Sequence, residues 1–121
     1  MRFVIITRDE DLIAAAKQGL HPSDVLDIYE DWSYALDQCA GADLIFVDLL
    51  ATLIKPHEIQ GYEDFAEAKM AHREASSVPL VLIGAGDNYK LDFMVGWPNF
   101  LVGHLQRPVD YRQFRRASTW V

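Results

Sequence analysis

Cysteine is almost missing from this chain of 121 residues: Cys39 stands alone, which excludes an internal disulfide and any cluster of thiolate metal ligands. Its setting, Leu36-Asp37-Gln38-Cys39-Ala40, is that of a packed thiol on a helix. Positive charge is scarce too. Eleven Lys and Arg stand against 18 Asp and Glu, a net charge of −7. A phosphate backbone needs concentrated positive charge, so nucleic acid is not expected as a direct partner. No apolar run approaches the roughly 18 residues of a membrane span. Met1-Arg2-Phe3 leads straight into a strand pattern rather than a signal peptide, and a cytoplasmic protein without membrane contact is expected. His21, His57, His72 and His104 show no i, i+4 pairing and no cysteine beside them, so they form no zinc pattern. No nucleophile motif such as G-x-S-x-G appears, and no enzyme activity is expected. With no linker, repeat or low-complexity stretch, residues 1–121 read as one domain.

Half of the residues are hydrophobic, enough for a real core. The densest run is Leu44-Ile45-Phe46-Val47-Asp48-Leu49-Leu50, which suits a strand buried on both faces, as in a parallel sheet covered by helices. Asp48 falls at its C-terminal end. An acid there either caps the following turn or belongs to a site, because ligands gather at that edge of open α/β sheets.

The rest of the chain alternates around this run. Phe3 to Thr7 reads as a strand, and Thr7 with Glu10 as a capping box for a helix that buries Leu12, Ile13, Ala16 and Leu20 and ends at Gly19. Val25 to Tyr29 is a second strand, and Asp31 or Ser33 caps a helix through Cys39. After an irregular segment with Lys55-Pro56, a third helix turns Tyr62, Phe65, Ala66 and Met70 inward. Pro79 to Ile83 is the fourth strand, stopping at Gly84-Ala85-Gly86. Asp87 or Asn88 caps a fourth helix carrying Leu91, Phe93, Met94 and Val95 and closed by Gly96. Leu101 to Leu105 is the fifth strand. Asp110 opens the last helix, with Tyr111, Phe114 and Ala117 inward and Arg112, Arg115 and Arg116 outward. Five strand-helix units in strict alternation predict an α/β three-layer sandwich, (βα)5, with a parallel five-stranded sheet of flavodoxin-like order 2-1-3-4-5.

Three strand ends then meet at one edge: Thr7-Arg8-Asp9, Asp48 with Leu49, and Gly84-Ala85, joined by Gln106-Arg107-Pro108. On these residues the chain resembles the CheY-like receiver domains of two-component response regulators, over essentially its whole length. The family has two Mg²⁺-binding acids after strand one and a phospho-accepting Asp at the end of strand three. It also has Thr or Ser before Ala after strand four, and Lys-Pro after strand five. Asp48 in Phe-Val-Asp-Leu-Leu matches the phospho-acceptor, and Arg107-Pro108 stands where Lys-Pro would be. The departures are as specific. Thr7 and Arg8 replace the two acids, leaving Asp9 as the nearby carboxylate; Gly84 replaces the hydroxyl residue, Arg107 the Lys, and His104 the aromatic switch residue, where an exposed or hydrogen-bonded imidazole filling the aromatic slot is expected ahead of one that titrates near neutral pH as a switch.

The resemblance is therefore to a degenerate, or pseudo-receiver, pattern. The family's pocket, with three carboxylates and one ammonium, carries roughly −2 and requires a divalent cation. Here Arg8 and Arg107, if both turn inward, would balance Asp48 and Asp9 with no metal, and the Leu49 amide would remain as a hydrogen-bond donor. The expected function is signal transduction through protein binding, with no cofactor. The partner surface would be the face of the fourth helix, fifth strand and last helix, with Tyr89, Phe93, Trp97, Arg112, Arg115 and Arg116 meeting a protein or a second copy. One alternative is a working receiver, phosphorylated on Asp48 with Mg²⁺ by a histidine kinase. Another is a small-molecule-binding flavodoxin-like domain.

Overall fold

The computed structural model describes residues 1–54, 58, 60–84 and 101–121. The expected helix at 87–96, Ala85, Tyr89, Phe93, Trp97, Lys55-Pro56 and His57 lie outside them.

Five parallel strands, β1 (Arg2–Ile6), β2 (Val25–Tyr29), β3 (Leu44–Asp48), β4 (Leu80–Ile83) and β5 (Leu101–Leu105), form one sheet in the order β2-β1-β3-β4-β5. The central strands are apolar on both sides because both faces are covered. Along β1, Phe3 and Ile5 enter one core with Leu12, Phe46 and Phe114, while Val4 and Ile6 enter the other with Leu36, Val47 and Phe65. The first core lies under α1 (Glu10–Gly19) and α5 (Tyr111–Ala117); the second lies under α2 (Trp32–Gln38) and α4 (Gln60–Ala71). This is the expected three-layer α/β sandwich.

Several local readings change. The helix α1 is capped by Asp9, whose side chain accepts from the amides of Asp11 and Leu12. Thr7 is not the cap, because its hydroxyl is turned into the sheet edge. The chain after β3 is not extended: Leu49–Thr52 form a one-turn helix, α3, with Asp48 as its cap. In α4 the buried stripe is Tyr62, Phe65, Ala66 and Lys69, whereas Met70 is exposed. Lys69 donates to the Val78 carbonyl at 2.7 Å, which lets its ammonium sit in the apolar layer, and burial draws its pKa down. Gly41, with φ +80°, takes the left-handed turn after α2. The helix α1 ends at Gly19 as expected, and that glycine also serves packing, since a Cβ there would run into the Tyr111 carbonyl of α5.

Candidate functional site

Strand register brings the site together. Ile6 lies opposite Val47, so Thr7 emerges beside Asp48 at the C-terminal edge; Asp48 itself pairs with Ile83, and Ile83 with Leu105. Gly84 follows Ile83 and is tied to β5 by its amide, which donates to the Leu105 carbonyl at 2.8 Å. Arg107 comes two residues after that strand, at the cis Arg107-Pro108 peptide, and its side chain turns back over the edge.

The guanidinium of Arg107 grips Asp48 in a fork. Nη1 donates to Asp48 Oδ1 at 2.8 Å, and Nη2 donates to Asp48 Oδ2 at 2.9 Å. The remaining protons of these nitrogens go to the Gly84 carbonyl at 2.8 Å and to Asp9 Oδ2 at 3.2 Å. One side chain therefore joins the ends of β1, β3, β4 and β5. Planar guanidinium geometry makes this two-point grip possible, and a lysine ammonium has no equivalent.

Asp48 has a second set of donors. The Thr7 hydroxyl donates to Oδ2 at 2.7 Å, and the Leu50 amide donates to Oδ1 at 3.1 Å. Each carboxylate oxygen thus accepts two hydrogen bonds, which fills its ordinary capacity. The Asp48 side chain is 3% exposed and that of Arg107 is 16% exposed, so the pair belongs to the interior. Asp48 thus caps the turn that follows its strand and is the centre of a buried polar cluster.

Asp9 is the more open member. Burial alone would raise its pKa, but the hydrogen bond from Arg107 and the amides of Asp11 and Leu12 outweigh it and hold the carboxyl below its ordinary value. Burial acts against the Arg107 cation, and the bonds to Asp48 and Asp9 more than offset it, so its pKa is raised.

Arg8 does not enter the cluster. It is exposed, and among the described residues it makes no ion pair; it lines the rim of a hollow of about 250 Å³ together with Asp9, Asp48, Leu50, Ala51 and Arg107. Neutralisation therefore comes from one arginine rather than two. The alternation Phe3, Ile5, Thr7 carries the signal: if Thr7 turns toward Asp48, its neighbour Arg8 points the other way. The Leu50 amide, rather than that of Leu49, meets Asp48 because a side-chain cap reaches the amide two residues on.

The residues offered to a magnesium ion do not fit it. Mg²⁺ demands a near-octahedral set of oxygens. Asp48 has both oxygens filled, and Asp9 divides its own between the α1 amides and Arg107. Among the described residues no group of three or more His, Cys, Asp or Glu side chains is placed to hold a metal.

Away from the cluster, His104 is exposed on β5, and the burial of part of its ring lowers its pKa from the ordinary histidine value. On α5, Arg112, Arg115 and Arg116 are exposed, and the first two guanidinium carbons lie 5.7 and 5.3 Å from the centre of the Tyr111 ring. No helix among the described residues is long and apolar enough to cross a membrane.

No protein-family model matches the sequence, and no curated protein does. Solved structures do match. A CheY-like response regulator receiver domain protein from Methanospirillum hungatei JF-1 superposes with a TM-score of 0.73 at 16% identity, over 98% of this chain and 91% of that one. The bacteriophytochrome response regulator RtBRR gives 0.71 at 17% identity, over 98% and 76%. The signal receiver domain of a modulated diguanylate cyclase from Desulfovibrio desulfuricans G20 gives 0.61 at 18% identity, over 98% and 90%. The chain thus has the CheY-like receiver fold.

Proposed function

We propose that this chain is a receiver-like signal-transduction domain of a two-component type of system. In this reading it acts by binding a protein, without Mg²⁺-dependent phosphorylation of Asp48 and without enzyme activity of its own. One observation carries the reading: the guanidinium of Arg107 lies on both oxygens of the residue that would accept the phosphoryl group. Phosphoryl transfer to a carboxylate requires a free oxygen for attack and fixed positive charge around the transferred group. Here the fixed charge is already engaged, and the attacking oxygens are covered.

Output is altered in the same direction. Gly84 has no hydroxyl to follow a phosphate, and its carbonyl is bound to Arg107 instead. The partner surface in this proposal includes the exposed arginines of α5, with Tyr111 beneath them, as a basic strip on a chain of net charge −7. Such a strip suits an acidic partner. The hollow above Asp48 has an ion pair as its floor, which favours this reading over a small-molecule pocket.

Incubation with acetyl phosphate and Mg²⁺, followed by intact mass measurement, tests the proposal. No adduct should form. An adduct on the natural chain that is absent from Asp48→Ala would refute it in favour of the phospho-accepting alternative, with a histidine kinase as the natural donor.

A further inference from the structure

The helix α1 runs back from the carboxyl edge of the sheet, so its last turn and the His21-Pro22 turn after it lie about 15 Å from the Asp48 cleft, the length of ten helical residues. There a hollow of about 540 Å³ opens between the end of α1 and the last turn of α5. Lys17 reaches it from α1 and Arg115 from α5; both are exposed, and neither makes an ion pair among the described residues. No described acid lines it, on a chain with 18 Asp and Glu against 11 Lys and Arg. A cation in the last turn of a helix offsets the dipole there, but several carbonyls at these two ends already have donors. The Ser118 hydroxyl donates to the Arg115 carbonyl and the Thr119 hydroxyl to the Arg116 carbonyl, both at 2.7 Å, and the Leu20 amide donates to the Ala16 carbonyl. His21 adds a donor: its Nδ1 accepts from the Ser23 amide at 3.1 Å, so Nε2 carries the ring proton. Leu20 and Pro22 give the hollow an apolar side.

We propose that this hollow seats an acidic segment of a partner protein, with one apolar side chain against Leu20 and Pro22 and flanking carboxylates on Lys17 and Arg115. The occupant is acidic because two exposed cations face the hollow and no described acid balances them. It is a peptide rather than a nucleic acid because an apolar side between two cations suits an apolar side chain between two carboxylates, whereas a phosphate backbone requires a longer run of positive charge. A second copy of this chain, itself at −7, would bring its own repulsion, so the occupant is a different protein. Arg115 also ties the hollow to the outer strip of α5. Its guanidinium carbon lies 5.3 Å from the centre of the Tyr111 ring and that of Arg112 lies 5.7 Å from it, so a bound segment continues from the hollow over this ladder. The inference rests on the protein-binding reading and adds to it a place and a pattern; Lys17, on a different helix from the strip, tells the two apart.

Fluorescence anisotropy of a labelled synthetic peptide, one leucine between two pairs of aspartates, titrated with the intact chain, tests it. Binding should weaken at least about fivefold in both Lys17→Glu and Arg115→Glu, and should weaken as salt rises from about 0.05 M to about 0.5 M. Peptides with asparagine for aspartate or alanine for leucine should bind less tightly than the parent. Arg8→Glu, at the opposite edge of the sheet, should leave binding unchanged. Circular dichroism of each variant shows whether the fold persists, and the amide NMR signals of Gln18, Leu20 and Thr119 in the natural chain should shift on titration. No binding of the aspartate peptide, binding indifferent to Lys17→Glu, or equally tight binding of a single-stranded oligonucleotide of the same charge overturns the proposal. Binding lost in Arg112→Glu and Arg116→Glu but kept in Lys17→Glu also overturns it, while leaving the α5 surface and the reading of the cleft standing.

Discussion

Replacement of Arg107 by alanine is the most direct probe of the cleft. It removes two charge-assisted bonds from Asp48, one from the Gly84 carbonyl and one from Asp9, while Asp48 stays buried with only Thr7 and the Leu50 amide as donors. A solvent-exposed ion pair contributes about 0–1 kcal/mol. Removing one partner of a buried pair costs about 3–5 kcal/mol, because the remaining charge is left uncompensated. Side-chain exposures of 16% and 3% decide for the second class. Against a total stability of about 5–15 kcal/mol, such a loss lowers Tm by roughly 10–20 °C for a chain of this length. Urea unfolding of the natural chain, Arg107→Ala, Asp48→Ala and the double variant measures it. Asp48→Ala should cost less than the sum of its lost contacts in the presence of Arg107→Ala, giving a coupling of about 2 kcal/mol or more. A cost below about 1 kcal/mol for Arg107→Ala would refute the view that this guanidinium holds four strand ends together.

Three further outcomes follow from the same geometry. Arg8→Asp should change the unfolding free energy measured in urea by no more than about 0.5 kcal/mol and create no Mg²⁺-dependent stabilisation, since Arg8 stands in solvent; a loss resembling that of Arg107→Ala would mean that Arg8 shares the neutralising role. Gly61→Ala should cost about 1–3 kcal/mol by urea unfolding, because the new Cβ meets the backbone carbonyl of Thr52 and a backbone atom cannot step aside; an unchanged midpoint would show α3 and α4 to be less closely seated. The depressed pKa of Asp9 contributes stability that is present above its unfolded value of 3.8 and is lost as pH falls through the lower folded value. Asp9→Asn keeps a helix cap but no titration, so its urea midpoint should fall less steeply below about pH 4; parallel acid limbs would contradict the assignment.

Much of this architecture is written in local pattern. The unbroken apolar runs of β1 and β3, caps at Asp31 and Asp110, and the stripe of Phe114 and Ala117 each depend on neighbours a few positions away, so hydrophobic pattern and cap chemistry suffice to read them. Right-handed crossovers restrict how five strand-helix units can wind, and the order 2-1-3-4-5, one of the common doubly wound orders, is the one observed. Where local signals compete, sequence alone decides less well. Thr7 and Asp9 are both capable caps, and the hydroxyl at Thr7 was drawn inward by Asp48, a residue 41 positions away. Met70 and Lys69 exchanged places because the pitch of α4 against the sheet, rather than hydrophobicity, selected the buried position.

The amino-acid order by itself determined that a lone carboxylate ends the central strand and that arginines, not acids and a lysine, surround that edge. Only the tertiary structure decided which arginine answers the carboxylate. Arg8 and Arg107 carry the same charge and stand equally near a strand end in sequence. Pairing of β1 with β3 turns Thr7 toward Asp48 and so turns Arg8 to water, while the chain leaving β5 passes close enough for Arg107 to lay a planar, two-pronged group on both oxygens. Charge is a property of composition, whereas a bidentate contact requires two atoms of each partner held at about 2.8 Å, and packing of distant segments supplies that geometry.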